Sequence, residues 1–376
     1  MQVIPPLQVI EAHKGGIWSI CTTGSGLIVT AGGDGRLKTW AFEALSRRLL
    51  PLAEAVTPHT EVLLVRQSPR GVLISVGHEG GLATWELEPH SGRLAQRQQL
   101  HLSDERQHYN DRLLETSSGY LLAWAFGTVG RPALCRWSEP ERAFVFLHEL
   151  PIDRASVFLE LPDGDWLSGD ETGRMRRWRL EKPAGAWSAT GNLQAHEGPI
   201  HALAWTRNRH LLSAGGREPL LKLWREDGKN DAWVLEQSLH GHHSQILEVM
   251  ESSPGELLST DRGERSLLGW RHKPELLVWR KGQDGLRLSQ RMAGRLRGYV
   301  KGTLILDDDE ASALSLWRRD EQSYERIAVL GGEKCGGLST LVPLAGGALI
   351  AGGLDGHLIC WDLRFHSPPE GERTTP

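Results

Sequence analysis

The chain has 376 residues, 39 % of them hydrophobic, and a formal net charge of −4. That balance gives no overall electrostatic argument for nucleic acid or an anionic membrane, and no run of 18 apolar residues is present to form a membrane-spanning helix. Two residue types are over-used: 43 glycines suit a chain rich in tight turns, and 15 tryptophans outnumber the 10 phenylalanines and tyrosines.

The opening MQVIPPLQVIEAHK lacks the basic stretch and long apolar core of a secretory signal. It contains one short apolar run, LQVI, which reads as a strand. From there, short apolar runs recur to the end of the chain. They finish at Thr30, Ser75, Ala123, Ser168, Ser213, Ser259, Leu306 and Ala351. Their length and their Gly, Asp and Pro boundaries mark strands rather than helices. Each is followed by a tryptophan, at Trp40, Trp85, Trp137, Trp178, Trp224, Trp270, Trp317 and Trp361, in steps of 41 to 52 residues. At the sixth step Trp270 and Trp279 compete. The spacing from Ser259 to Trp270 equals that from Ser213 to Trp224, which selects Trp270 and places Trp279 on the next, outer strand.

Ten residues before each run ends lies an apolar residue in every repeat: Ile20, Val65, Leu113, Phe158, Leu203, Val249, Leu296 and Leu341. This is the inward position of a first strand. A repeat of about 40–45 residues with several short strands is that of a propeller blade. The expected fold is all-β, an eight-bladed β-propeller spanning residues 1–363, with seven blades as the alternative if the third repeat is not a blade. Residues 364–376 read as a polar, Pro-rich tail without structure. The eighth repeat ends before its outer strand, so the LQVI strand is expected to complete it and close the ring.

The segments DGRLKTW (Asp34 to Trp40) and LDGHLICWDL (Leu354 to Leu363), with the pairs Ala12-His13, Ala195-His196 and Gly241-His242, resemble WD repeats. The resemblance covers essentially the whole chain and is strongest in repeats 1, 5, 6 and 8. It implies a hydrogen-bonded set of His, Ser or Thr, Asp and Trp within a blade. Repeat 1 has all four: His13, Thr30, Asp34 and Trp40. The 17-residue step from His13 to Thr30 recurs from His196 to Ser213, with Trp224, and from His242 to Ser259, with Trp270. Repeat 2 has His59 and Glu79. Arg217 and Gly263 stand at the Asp position of repeats 5 and 6, so those sets read as incomplete. Such a chain satisfies the indole donor of a buried tryptophan.

Motifs for chemistry are few. No HExxH, GxSxG, GxxxxGK[ST] or strand-linked GxGxxG is present, so no catalytic residue is assigned and the chain reads as no enzyme. The cluster His240, His242, His243 lacks a carboxylate or Cys at ligand spacing and is read as structural, with no metal and no cofactor expected. Cys21, Cys135, Cys335 and Cys360 form no CxxC pair, which favours a reducing, cytoplasmic compartment over a disulfide framework. The acidic turn Asp307 to Glu310 reads as solvated. The basic runs Arg174 to Lys182 and Arg291 to Lys301 alternate across strand faces and form no evident phosphate track.

The WD-repeat resemblance implies binding through the narrow face, from residues near the start of each first strand and the following turn. On that alignment the partner-binding residues are Trp18, Glu61, Leu63, His78, Tyr109, Arg154, His201, Gln245, Leu247 and Met292. The function expected is a non-catalytic protein-interaction scaffold or subunit of a larger assembly. RNA or polyanion binding is the alternative, and a propeller enzyme is third. Protein partners are expected, without a membrane or a small-molecule substrate.

Overall fold

Alternating apolar positions between Gly-rich turns can bury one row of side chains only by pairing into sheets, and the chain does so throughout. The computed structural model describes all residues except 1, 79, 103–111, 125–130, 182–185, 218, 229–231, 267–268, 301, 309–312, 321–322, 332–336, 345 and 365–376. The acidic turn at 309–310, Glu79, Tyr109 and the tail from 365 therefore lie outside the described residues. Eight sheets follow one another, each built on four antiparallel strands, and no α-helix occurs among the described residues. The third repeat is a full blade, with strands Arg112–Glu115, Tyr120–Trp124, Ala133–Ser138 and Ala143–Glu149.

The blades fall into two compact units. One comprises residues 1–101 and 296–376 (blades 1, 2, 7 and 8), and the other residues 102–295 (blades 3 to 6). Within each unit the core lies between successive blades. In the first, Val29, Leu37, Val65 and Trp85 join blades 1 and 2, and Leu316, Leu349, Ile359 and Trp361 join blades 7 and 8. In the second, Trp166, Trp178 and Trp187 pack with Tyr120 and Leu134 between blades 3 and 4.

Strand Gln8–Glu11 pairs antiparallel with His357–Asp362, in the register Gln8 to Cys360 and Glu11 to His357, and is the outer strand of blade 8 as expected. A second N-terminal pairing was not expected. Gln2–Ile4 runs parallel to Tyr324–Leu330 and adds a fifth strand to blade 7, with Ile4 buried among Ile305, Leu316, Leu330 and Trp361. The first eleven residues thus hold two blades at once.

Four rungs of the tryptophan ladder share one hydrogen bond. The indole Nε1 of Trp40 donates to Thr30 Oγ1 at 3.0 Å, that of Trp85 to Ser75 Oγ at 2.9 Å, that of Trp178 to Ser168 Oγ at 2.9 Å, and that of Trp224 to Ser213 Oγ at 2.8 Å. Histidine bonds the same hydroxyl in three of these blades: His13 at 2.8 Å, His59 at 3.2 Å and His196 at 2.7 Å. In blade 1, Asp34 completes the set, 2.8 Å from His13 Nδ1.

Blade 6 departs from the reading by spacing. The indole donating to Ser259 Oγ, at 2.8 Å, belongs to Trp279, on the third strand Glu275–Gly282. Trp270 instead sits on an inserted two-stranded hairpin, Glu264–Ser266 with Gly269–His272, between the second and third strands. A bulge immediately before the tryptophan marks the third-to-fourth pairing at Trp40, Trp178, Trp224 and Trp317, and it falls at Trp279 as well. The set is also complete: His242 contacts Ser259 at 2.7 Å and Asp261 at 2.9 Å, so Asp261 takes the place that spacing assigned to Gly263.

The turn glycines do a task no other residue could. Gly356, at φ +85°, accepts the backbone N–H groups of Ala12 and His13 at 3.0 and 3.1 Å, and a Cβ there would lie 2.2 Å from the His13 carbonyl oxygen. Gly173 holds Ala195 and His196 in the same way in the other unit. Each turn thereby anchors the histidine loop of the next blade.

Candidate functional site

Among the described residues the first strands of seven blades, all but blade 3, carry a β-bulge near their start, and the bulge decides which side chain leaves the ladder. The residues without a cross-strand partner are Trp18, Leu63, Ser156, His201, Leu247, Arg297 and Ser339, since the register skips each of them. An extra residue of this kind is turned away from its neighbours and re-aimed. Four of the seven, Trp18, Leu63, His201 and Leu247, are positions that alignment of the repeats selects. In blade 7 the first strand is Leu296–Val300, so the bulge residue is Arg297. Met292 lies instead on the outer strand of blade 6, opposite Leu276 and 2 % exposed, and is a core residue rather than a surface one.

A second repeated contact ties this bulge to the turn after strand two. The backbone N–H groups of Gly33, His78, Glu171, Gly216, Arg262 and Leu354 donate to the carbonyls of Gly16, Glu61, Arg154, Pro199, Gln245 and Gly337, at 2.8 to 3.2 Å. The acceptors are the residues two before each bulge. The donors bring further side chains to the same end of the blade, and of these only His78 was selected from sequence. Glu171, Arg262 and Leu354 were missed. Their signal was available, three residues beyond each second-strand anchor, but no repeat motif marks it.

In the first unit, Trp18 is 38 % exposed and Leu354 46 % exposed. The Trp18 ring lies over a bed of glycines: a Cβ on Gly33 would be 3.3 Å from its Nε1, and one on Gly16 would be 3.3 Å from its Cζ2 and 3.1 Å from the Leu354 carbonyl. Trp18 and Leu354 therefore border the same glycine and form one apolar patch on rigid backbone. Leu63 and Glu61 are half-buried beside the exposed His78.

In the second unit the same end is polar. Arg154 is exposed and pairs with Glu171 at 3.1 Å. His201 is 7 % exposed, a correction to its expected place on the surface. Burial, reinforced by the charges of Arg112 and Arg262, pushes its pKa down to about 4. Its neutral Nε2 accepts from the amide of Gln245, whose Oε1 accepts from Arg262 at 3.3 Å. Leu247 is half-buried.

The basic runs are largely neutralised. Arg176 lies 3.4 Å from Asp170, Arg177 is clamped by Asp163, Asp165 and Glu226, and Arg179 lies 2.8 Å from Asp165. Arg291, Arg295 and Arg297 face Glu275, Glu248 and Asp307. Charges held this way contribute little to a phosphate track. Among the described residues no group of three His, Cys, Asp or Glu is placed to hold a metal ion, and no helix is long and apolar enough to cross a membrane.

Residues 4–41 and 187–225 match the model of the WD domain, G-beta repeat. Echinoderm microtubule-associated protein-like 3 of Mus musculus is 32 % identical over 111 residues, covering 27 % of this chain and 12 % of that protein. The probable cytosolic iron-sulfur protein assembly protein 1 of Kluyveromyces lactis is 33 % identical over 82 residues, covering 20 % and 25 %. The matches thus span an eighth and a quarter of those relatives. Among solved structures, Saccharomyces cerevisiae Sqt1 superposes with a TM-score of 0.72 at 11 % identity, over 96 % of this chain and 99 % of that one. Chaetomium thermophilum Sqt1, bound to the N-terminus of the ribosomal protein L10, gives 0.70 at 14 % identity over 96 % and 100 %. These superpositions show the fold, an eight-bladed β-propeller, and the two matched segments with their indole–hydroxyl–imidazole sets are similar to WD repeats.

Proposed function

We propose that this propeller is a non-catalytic scaffold that binds a partner protein through the bulge end of its blades. The observation that carries the reading is the patch of Trp18 and Leu354. A large aromatic side chain held in the open by a bulge, on a glycine bed that cannot move aside, is costly to leave in water and suited to anchoring a partner. Support comes from the C. thermophilum Sqt1 structure, a propeller of the same fold in complex with a segment of another protein. The polyanion alternative loses its main support with the ion-paired basic runs. The proposed compartment is the cytoplasm.

The test is affinity purification from the native extract with mass spectrometry, comparing the wild type with the double variant Trp18→Ala, Leu354→Ala after both are shown to be folded by circular dichroism. Proteins retained by the wild type and lost from the variant support the reading. Identical retention by both removes this patch from it.

A further inference from the structure

The inserted hairpin of blade 6 belongs to no repeat position, and it walls one side of a cavity of about 420 Å³. We propose that this cavity is a binding site for an anionic oxygen group, a phosphate ester or carboxylate, carried on the side chain of a partner protein segment. The proposal rests on the protein-partner reading for the source of the anion, but on a different set of residues.

Arg262 and Arg265 line the cavity from the two sides of Gly263–Glu264, with Ser244, His243 and Trp270 facing them. Both arginines are exposed, and among the described residues neither makes an ion pair. They differ in this from arginines such as Arg154, Arg177 and Arg297, each of which faces a carboxylate. The one carboxylate lining the cavity, Glu264, is engaged by Arg271 at 3.2 Å. The cavity therefore carries uncompensated positive charge.

The two guanidinium groups are also oriented. Arg262 is held by the Oε1 of Gln245, itself fixed by His201, and its backbone N–H donates to the Gln245 carbonyl at 3.0 Å. Arg265 stacks over the Trp270 ring, 4.6 Å from its centroid. Stacking occupies the face of a guanidinium and leaves its N–H fork in the plane, where it meets an oxyanion side-on. The hydroxyl of Ser244 is buried with no hydrogen-bond partner, a donor held without an acceptor at the wall of a cationic cavity. The imidazole of His243, in the cavity lining, stacks at 5.2 Å on that of His272, the last residue of the hairpin. A bound oxyanion would satisfy the two arginines and the serine together.

The experiment uses immobilised peptides with degenerate flanks and a fixed central phosphoserine, glutamate, serine or lysine. They are probed with the purified full chain, with Arg262→Gln, Arg265→Gln, and with Trp18→Ala, Leu354→Ala. The expected result is preferential capture of the phosphoserine and glutamate peptides by the wild type. The arginine variant loses this preference by about tenfold or more, while the Trp18 variant keeps it. Equal capture of phosphoserine, glutamate and serine peptides by the wild type overturns the proposal, as does an unchanged preference in the arginine variant. Inorganic phosphate that displaces the peptides at equal concentration overturns the protein-borne source. Loss of extract partners from the Trp18 variant, with no arginine-dependent preference on the peptides, would leave the scaffold reading standing and this one refuted.

Discussion

Replacing Ile4 by alanine tests whether the extreme N-terminus holds blade 7 against blade 8. Ile4 is 8 % exposed and packs among Ile305, Leu316, Leu330, Leu349 and Trp361, while its carbonyl accepts the Gly331 N–H at 2.9 Å. The Gly331 carbonyl in turn accepts the indole N–H of Trp361 at 3.0 Å. Losing three buried carbons at such a site costs about 3 kcal/mol, the lower half of the range for Ile→Ala because a terminal strand can partly collapse into the gap. With an unfolding entropy of roughly 2 cal/mol/K per residue, the melting temperature falls by about 4 °C if the whole chain melts as one, and by about twice that if its compact unit melts alone. Val9 is the control: it lies on the other N-terminal strand but is 50 % exposed, so Val9→Ala should move the melt by less than about 1 °C. Scanning calorimetry on the two variants and the wild type decides the matter. Equal shifts for Ile4→Ala and Val9→Ala, or no shift for Ile4→Ala, would refute the argument that burial at this strand joins the two blades.

Trp279→Phe removes the donor to the Ser259 hydroxyl inside the core and should cost about 1–2 kcal/mol in urea unfolding, whereas Trp270→Phe on the inserted hairpin should cost less than about 0.5 kcal/mol; the reverse order would reinstate Trp270 as the repeat position. Gly356→Ala places a Cβ 2.2 Å from the His13 carbonyl oxygen in a left-handed conformation, and a loss of about 2 kcal/mol or more is expected, read as reduced soluble yield or a lowered melt. His196 is held neutral in the native chain, chiefly by burial and then by the charge of Lys222, with its pKa lowered to about 4. The unfolded chain takes up a proton below about 6.5 and the native chain does not, so this contribution is whole above 6.5 and falls toward pH 4 by at most about 3 kcal/mol. The stability gap between wild type and His196→Asn in urea should therefore narrow between pH 7.5 and pH 4.5; a constant gap would show that His196 does not titrate differently on folding.

Much of this architecture is written in short-range chemistry. A hydroxyl ten or eleven residues before a tryptophan, and a histidine seventeen residues before the hydroxyl, are distances set by two strands and their turn, so Thr30 with Trp40 and Ser213 with Trp224 could be read directly. The bulge positions Trp18, Leu63, His201 and Leu247 followed from the same alignment, because a bulge at a fixed place in a strand is a local feature. Counting failed where an insertion had the length of a strand and its turn. The hairpin at Glu264–His272 put Trp270 at the spacing that belongs to Trp224, and only pairing with the second strand identifies Trp279.

Sequence alone determined the repeat, the strands and the N-terminal strand that completes blade 8, since these depend on local periodicity and on one missing strand needing a partner. Tertiary structure decided the rest. It set the parallel fifth strand at Gln2–Ile4, the burial of His201 and Met292, and the pairing of one set of arginines with carboxylates while Arg262 and Arg265 stand without them. Each of these is fixed by which side chains from distant repeats come within a few ångströms, and a period along the chain does not encode that distance.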